Sequence, residues 1–113
     1  MDISKLAARP ELIEIKLDEQ DIIDTYGEEI TFWMRDHLDL STYFDFYKFQ
    51  KESSSEQLMI TLRKIILNSE GQPAIADDCI LPVDITLAVM SKISDNLGKS
   101  KTRLSKKEVG TQS

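Results

Sequence analysis

Apolar positions along this chain repeat first with a period of two and later with the period of a helix. In residues 11–17, ELIEIKL, Leu12 and Ile13 are followed by Ile15 and Leu17, which alternate with Glu14 and Lys16. Such alternation predicts a short, half-buried strand. Asp18 stands where it can cap a helical turn over residues 19–26, and Gly27 where it can end that turn in the left-handed conformation. A second strand is expected within residues 28–36. There Ile30, Phe32 and Met34 share one face, opposite Thr31, Trp33 and Arg35, and the stretch is rich in β-formers.

The period then lengthens. Asp39 or Ser41 opens a helix over STYFDFYKFQKE, with Leu40, Tyr43, Phe44 and Tyr47 on one stripe and Phe46 and Phe49 on another side. This helix is apolar over more than half its circumference. The next segment starts with a capping-box pattern, Ser53 with Glu56 or Ser54 with Gln57. Leu58, Met59, Leu62, Ile65 and Ile66 follow at helical spacing, and Gly71 lies just past the expected end. Residues 71–82 read as a loop or small hairpin with Asp77-Asp78 at its tip. A last helix begins at Val83, with Ile85, Ala88, Val89, Ile93 and Leu97 on one stripe, widened by Leu87 and Met90. Gly98 is its expected stop.

The outline is β-α-β-α-α-loop-α, a helix-dominated α+β class with two short N-terminal strands and about three longer helices. Residues 1–10 are expected to be a flexible lead-in and 11–98 a single globular domain. Residues 99–113, dominated by Ser, Thr, Lys and Gly, are expected to be a disordered basic tail. At 113 residues the domain is large enough to bury roughly 65% of its unfolded surface, so it needs no covalent staples.

Charge is unevenly spread. Residues 99–113 hold five Lys or Arg and one acid, a net of +4; the whole chain is −6, so residues 1–98 carry −10. An acidic body repels phosphate backbones, which argues against nucleic acid as the main ligand. The single cysteine, Cys79, cannot form an internal disulfide and suits a reducing compartment. No apolar run reaches the ~18–20 residues of a membrane span, and the acidic N-terminus does not read as a signal peptide. A soluble, intracellular protein is expected.

Catalytic signals are weak. Gly98-Lys99-Ser100 resembles the end of a phosphate-binding loop, but that loop needs a glycine at position 93, where Ile93 stands. The close acid pairs lack the glycine and alternating oxygen ligands of a calcium loop. His37, between Asp36 and Asp39, is the only histidine available to serve as a base or metal ligand. Neither an enzyme nor a bound cofactor or metal is expected. The aromatics are more informative: all eight fall between positions 26 and 49. One face of a twelve-residue helix cannot turn five of them inward, so part of the cluster is expected to serve a partner. Trp33, Phe46 and Phe49 are the candidates there, with Leu87 and Met90 on the last helix.

Residues 26–50 (YGEEITFWMRDHLDLSTYFDFYKFQ) and 62–101 (LRKIILNSEGQPAIADDCILPVDITLAVMSKISDNLGKSK) resemble tail assembly chaperones of long-tailed bacteriophages. The matching positions are Tyr26 to Phe32, then Asn68, Glu70, Gly71, Pro73 and Ile75, then Leu81-Pro82, and Leu97 to Ser100. The resemblance covers about 60% of the chain, through helix and turn features rather than catalytic signatures. It implies a non-catalytic protein that binds the tape measure protein and keeps it soluble while tail tube protein polymerises around it. It also implies location in the host cytoplasm, absence from the finished virion, and a longer frameshifted product diverging near the end of this chain. Homo-oligomers are expected because a symmetric assembly can present repeated apolar patches to a long helix. A small structural tail-completion or head–tail joining protein is the alternative. A small regulatory protein that uses its basic tail on nucleic acid is another.

Overall fold

In the computed structural model, the described residues are 1–7 and 9–110, with side chains described as far as Leu97. In order, the elements are β1 (Leu12–Leu17), α1 (Gln20–Tyr26), β2 (Ile30–Arg35), α2 (Leu40–Lys51), α3 (Ser55–Ile65) and α4 (Val83–Gly110). A single 3-10 turn, Ile3–Lys5, precedes them. The class is α+β, with β1 and β2 paired as a two-stranded antiparallel sheet. The chain falls into two compact units, residues 1–14 with 32–78, and residues 15–31 with 79–113.

The first unit is built on β2, α2 and α3. Alternation in β2 buries Phe32 and Met34 while Trp33 stays half-buried. At the end of the sheet the Asp36 N–H donates to the Glu11 carbonyl at 2.8 Å, and the Glu11 N–H donates to Asp36 Oδ1 at 2.8 Å. Asp39 caps α2, accepting from the Thr42 N–H at 3.4 Å and the Thr42 hydroxyl at 2.6 Å. Helices α2 and α3 pack together. Phe46, Leu62 and Ile65 are completely or almost completely buried, each contributing about 1.5–3 kcal/mol of transfer free energy.

Helix α3 ends one residue before Ile66, which leaves the helix in an extended conformation. The chain then runs alongside β2: the Trp33 N–H donates to Leu67 O at 2.9 Å, and the Leu67 N–H donates to Trp33 O at 2.8 Å. Leu67 also bridges Pro73, antiparallel, across a turn at Gly71. Asn68 closes that turn, its Oδ1 accepting from the Glu70 and Gln72 N–H groups. Gly71 has φ +80°, and a Cβ there would lie 2.8 Å from Arg35 Nη2. This corrects two expectations. Gly71 is the left-handed residue of a hairpin rather than a helix stop, and the hairpin turns at residues 68–71 rather than at Asp77-Asp78.

The second unit contains the remaining halves of the strands, α1 and α4. Ile15 and Leu17 are buried in β1, Ile22 in α1, and Ile85, Val89 and Ile93 in α4. Gly27 ends α1 with φ 85°, as expected, its N–H donating to Ile23 O. The N-cap is Glu19 rather than Asp18, and it makes no side-chain capping bond. The capping box expected before α3 is also missing. Ser53 lies at φ 54°, and Ser54 has ψ 79°, outside the extended region that aims a capping hydroxyl at the first turn. Gly98 does not stop α4, whose bounds run through it to Gly110. One interior glycine costs only about 1 kcal/mol, and no proline follows to break the helix. Residues 99–110 of the expected tail lie within the bounds of α4, and residues 111–113 lie outside the described residues.

Candidate interaction surfaces

Among the described residues, two helical faces carry rows of large apolar side chains in solvent, one in each unit, while Ile60 on α3 and Tyr26 on α1 are exposed singly. On α2 the outward stripe is Leu40 (67% exposed), Phe44 (59%) and Tyr47, with Tyr43 half-buried on its flank. The rings brace one another edge-on. Tyr43 meets Phe44 at 5.8 Å between centroids and Tyr47 at 5.1 Å, and Tyr47 meets the buried ring of Phe46 at 5.2 Å. The stripe is thus anchored to the core through Tyr47.

Phe46 is fully buried, which corrects its assignment to a partner surface, and the inward and outward sides of α2 are the reverse of those expected. Both sides of this helix carry aromatics, so periodicity alone does not say which side faces in. Packing against α3 decides it. Phe49 is half-buried beneath Lys48, whose Nζ lies 5.6 Å from the ring centroid. Trp33 is half-buried, and its backbone is committed to Leu67.

On α4 the outward face begins at Val83, and Ile80 in the preceding loop is exposed as well. Ile80 (85% exposed), Val83 (75%) and Leu87 (59%) are open to solvent, and Met90 continues the face half-buried. Positions 83, 87 and 90 lie at helical i, i+4, i+7 spacing, opposite the buried stripe of Ile85, Val89 and Ile93. Leu87 and Met90 therefore share the expected face. Val83 was missed, although its i, i+4 spacing from Leu87 was visible in the sequence. Acidic residues Asp84 and Asp95 lie in the exposed surface of the same helix.

Polar groups hold each unit together in different ways. In the second, Tyr26 donates its hydroxyl to Asp84 at 2.9 Å, which raises the tyrosine pKa. Lys92 meets Glu19 at 3.1 Å and Asp18 at 3.7 Å, and hydrogen bonding to Glu19 raises its pKa. In the first, the backbone bond from Glu11 lowers the Asp36 pKa, and the Thr42 hydroxyl lowers that of Asp39. His37 Nδ1 lies 3.3 Å from Asp36 Oδ1. Asp36 and Asp39 are both engaged in these backbone and capping bonds, so the histidine and two acids do not converge on one point. Among the described residues no three His, Cys, Asp or Glu side chains gather as a metal site, and no helix is long and apolar enough to cross a membrane. No family profile, curated protein or solved structure matches the chain.

Proposed function

We propose that this protein is a non-catalytic tail assembly chaperone that holds the tape measure protein soluble while tail tube protein polymerises around it. The observation that carries this reading is the exposed α4 face of Val83, Leu87 and Met90. An aliphatic stripe on a helix offers an amphipathic client helix the i, i+4, i+7 anchors of helix-in-groove recognition. Asp84 and Asp95 beside it favour clients with basic flanks. The resemblance of residues 26–50 and 62–101 to the chaperone family supplies the client's identity, and with it action in the host cytoplasm.

Co-expression with the tape measure protein tests the reading directly. Soluble tape measure protein should co-purify with the wild-type chain. Val83→Asp with Leu87→Asp should abolish recovery while leaving circular dichroism unchanged. Recovery that ignores both substitutions counts against the α4 face. Mass spectrometry of purified particles decides between a chaperone and a structural component: the chain should be missing from finished virions, and its presence there would reject the proposal.

A further inference from the structure

We infer that the exposed stripe of α2 is a self-association surface, on which a second copy of this chain packs its own α2 antiparallel about a two-fold axis. This goes beyond the client role of α4 and rests on different residues. The occupant is identified by the stripe itself. A two-fold interface must be self-complementary, each residue meeting its counterpart on the partner surface. With the axis between Tyr43 and Phe44, Leu40 of one copy lies level with Tyr47 of the other, and Tyr43 with Phe44.

Charge chooses the direction. Asp36 and Asp39 stand at the N-terminal end of α2, and Lys48 and Lys51, with the C-cap Glu52 beside them, at its C-terminal end, so the two ends still differ in net sign. An antiparallel pair sets the acidic end of one copy against the basic end of the other, whereas a parallel pair opposes like charges. The helix dipoles also favour the antiparallel arrangement. The rings need little ordering on association, because Tyr43, Phe44 and Tyr47 already brace one another and Tyr47 rests on buried Phe46. A contact limited to one twelve-residue helix from each copy falls below the roughly 1,200 Å² of standard interfaces, so the pair is weak and concentration-dependent.

Sedimentation equilibrium of the full chain, from roughly 1 µM to 1 mM, reads this out. The average mass should rise from 12.9 kDa toward twice that value. Phe44→Glu should hold the chain monomeric over the whole range with unchanged circular dichroism. Lys48→Glu with Lys51→Glu should weaken association by roughly tenfold. A wild-type chain that stays monomeric at every concentration overturns the proposal, as does association that Phe44→Glu leaves intact.

Cross-linking fixes the register independently, in a Cys79→Ser background. Phe44→Cys should cross-link to itself, and Leu40→Cys should cross-link to Tyr47→Cys when the two are mixed. Leu40→Cys alone should not, since its two copies would stand about 10 Å apart along the helices. Efficient Leu40→Cys self-cross-linking would mean parallel pairing and would reject the antiparallel two-fold. Loss of self-association in Phe44→Glu with client recovery retained would separate this surface from the α4 face.

Discussion

The two units use their polar side chains differently. In the first, carboxylates and an amide clasp backbone: Asp36 takes the Glu11 N–H, Asp39 caps α2 at Thr42, and Asn68 takes two N–H groups of its own turn. The second has local side-chain-to-backbone bonds too, such as Thr25 to Asp21 O and Thr86 to Pro82 O, but its distinguishing contacts tie side chains far apart in the chain. Tyr26 meets Asp84 across 58 positions, and Lys92 reaches back to Glu19 and Asp18. The difference teaches where order originates. Backbone clasps define local shape residue by residue, whereas the long-range ties of the second unit exist only once its helices are already in place.

The sharpest way to break that comparison is to remove one core from beneath its polar groups. Phe46→Ala should cost about 3–5 kcal/mol, because a large side chain with no exposed surface leaves a cavity. Urea unfolding followed by the fluorescence of Trp33, the only tryptophan, reports on the first unit, and hydrogen exchange along α4 reports on the second. If both readouts shift by the same free energy, the units unfold as one cooperative body and the contrast is only one of construction.

Glycine substitutions probe each unit's turn at a smaller scale. Gly27→Ala in the second unit and Gly71→Ala in the first each force a side chain into the left-handed region, at about 1–2 kcal/mol. Gly71→Ala must also displace the flexible end of Arg35, so it should be the more damaging in thermal melts. Equal melting shifts would mean that Arg35 swings away without cost.

Caps come next. Asp39→Ala should cost about 1 kcal/mol by leaving the first turn of α2 unsatisfied. Glu19→Ala, at a cap that makes no side-chain bond, should lose only the exposed pairing with Lys92, about 0–1 kcal/mol. A larger loss at Glu19 than at Asp39 would invert the comparison.

The smallest effects are set by pH, and they should separate the units by sign. Asp36 and Asp39 have lowered pKa values. Their stabilisation is present above the ordinary aspartate range near ~3.9 and disappears as pH falls through the folded values. Lys92 and Tyr26 have raised values, so their stabilisation is complete below about 10 and is lost as pH rises through the folded ones. Amide exchange should therefore quicken first around Glu11 and Thr42 in acid, and first around α1 and the start of α4 in alkali. The opposite assignment would show that these groups do not report on their own units.

The same contrast explains what could be read from the residues alone. Both strands, the Asp39 cap and the left-handed Gly27 depend on neighbours within a few positions, and all of them were legible. The inward side of α2 was not. Phe46 and Phe44 have similar intrinsic claims to burial, and only packing against α3 chooses between them. The turn at Asn68–Gly71 was half-legible: Gly71 was recognised as a backbone special, but the pairing of Leu67 with Trp33 brings together residues 34 positions apart. On α4, the exposed face was partly recovered through Leu87 and Met90, which fall beside the main apolar stripe of Ile85, Val89 and Ile93 rather than on it.

The Leu67 bridge also bears on how this chain can meet other chains. An open strand edge is a template on which a foreign strand can be added through its free N–H and C=O groups. Beyond β2, the outermost partner of Leu67 is Pro73, a residue with no N–H to donate. A strand approaching there finds the row of donors interrupted, so uncontrolled sheet growth on that side is blocked. On that side, association is left to helix faces, where side-chain shape selects the partner.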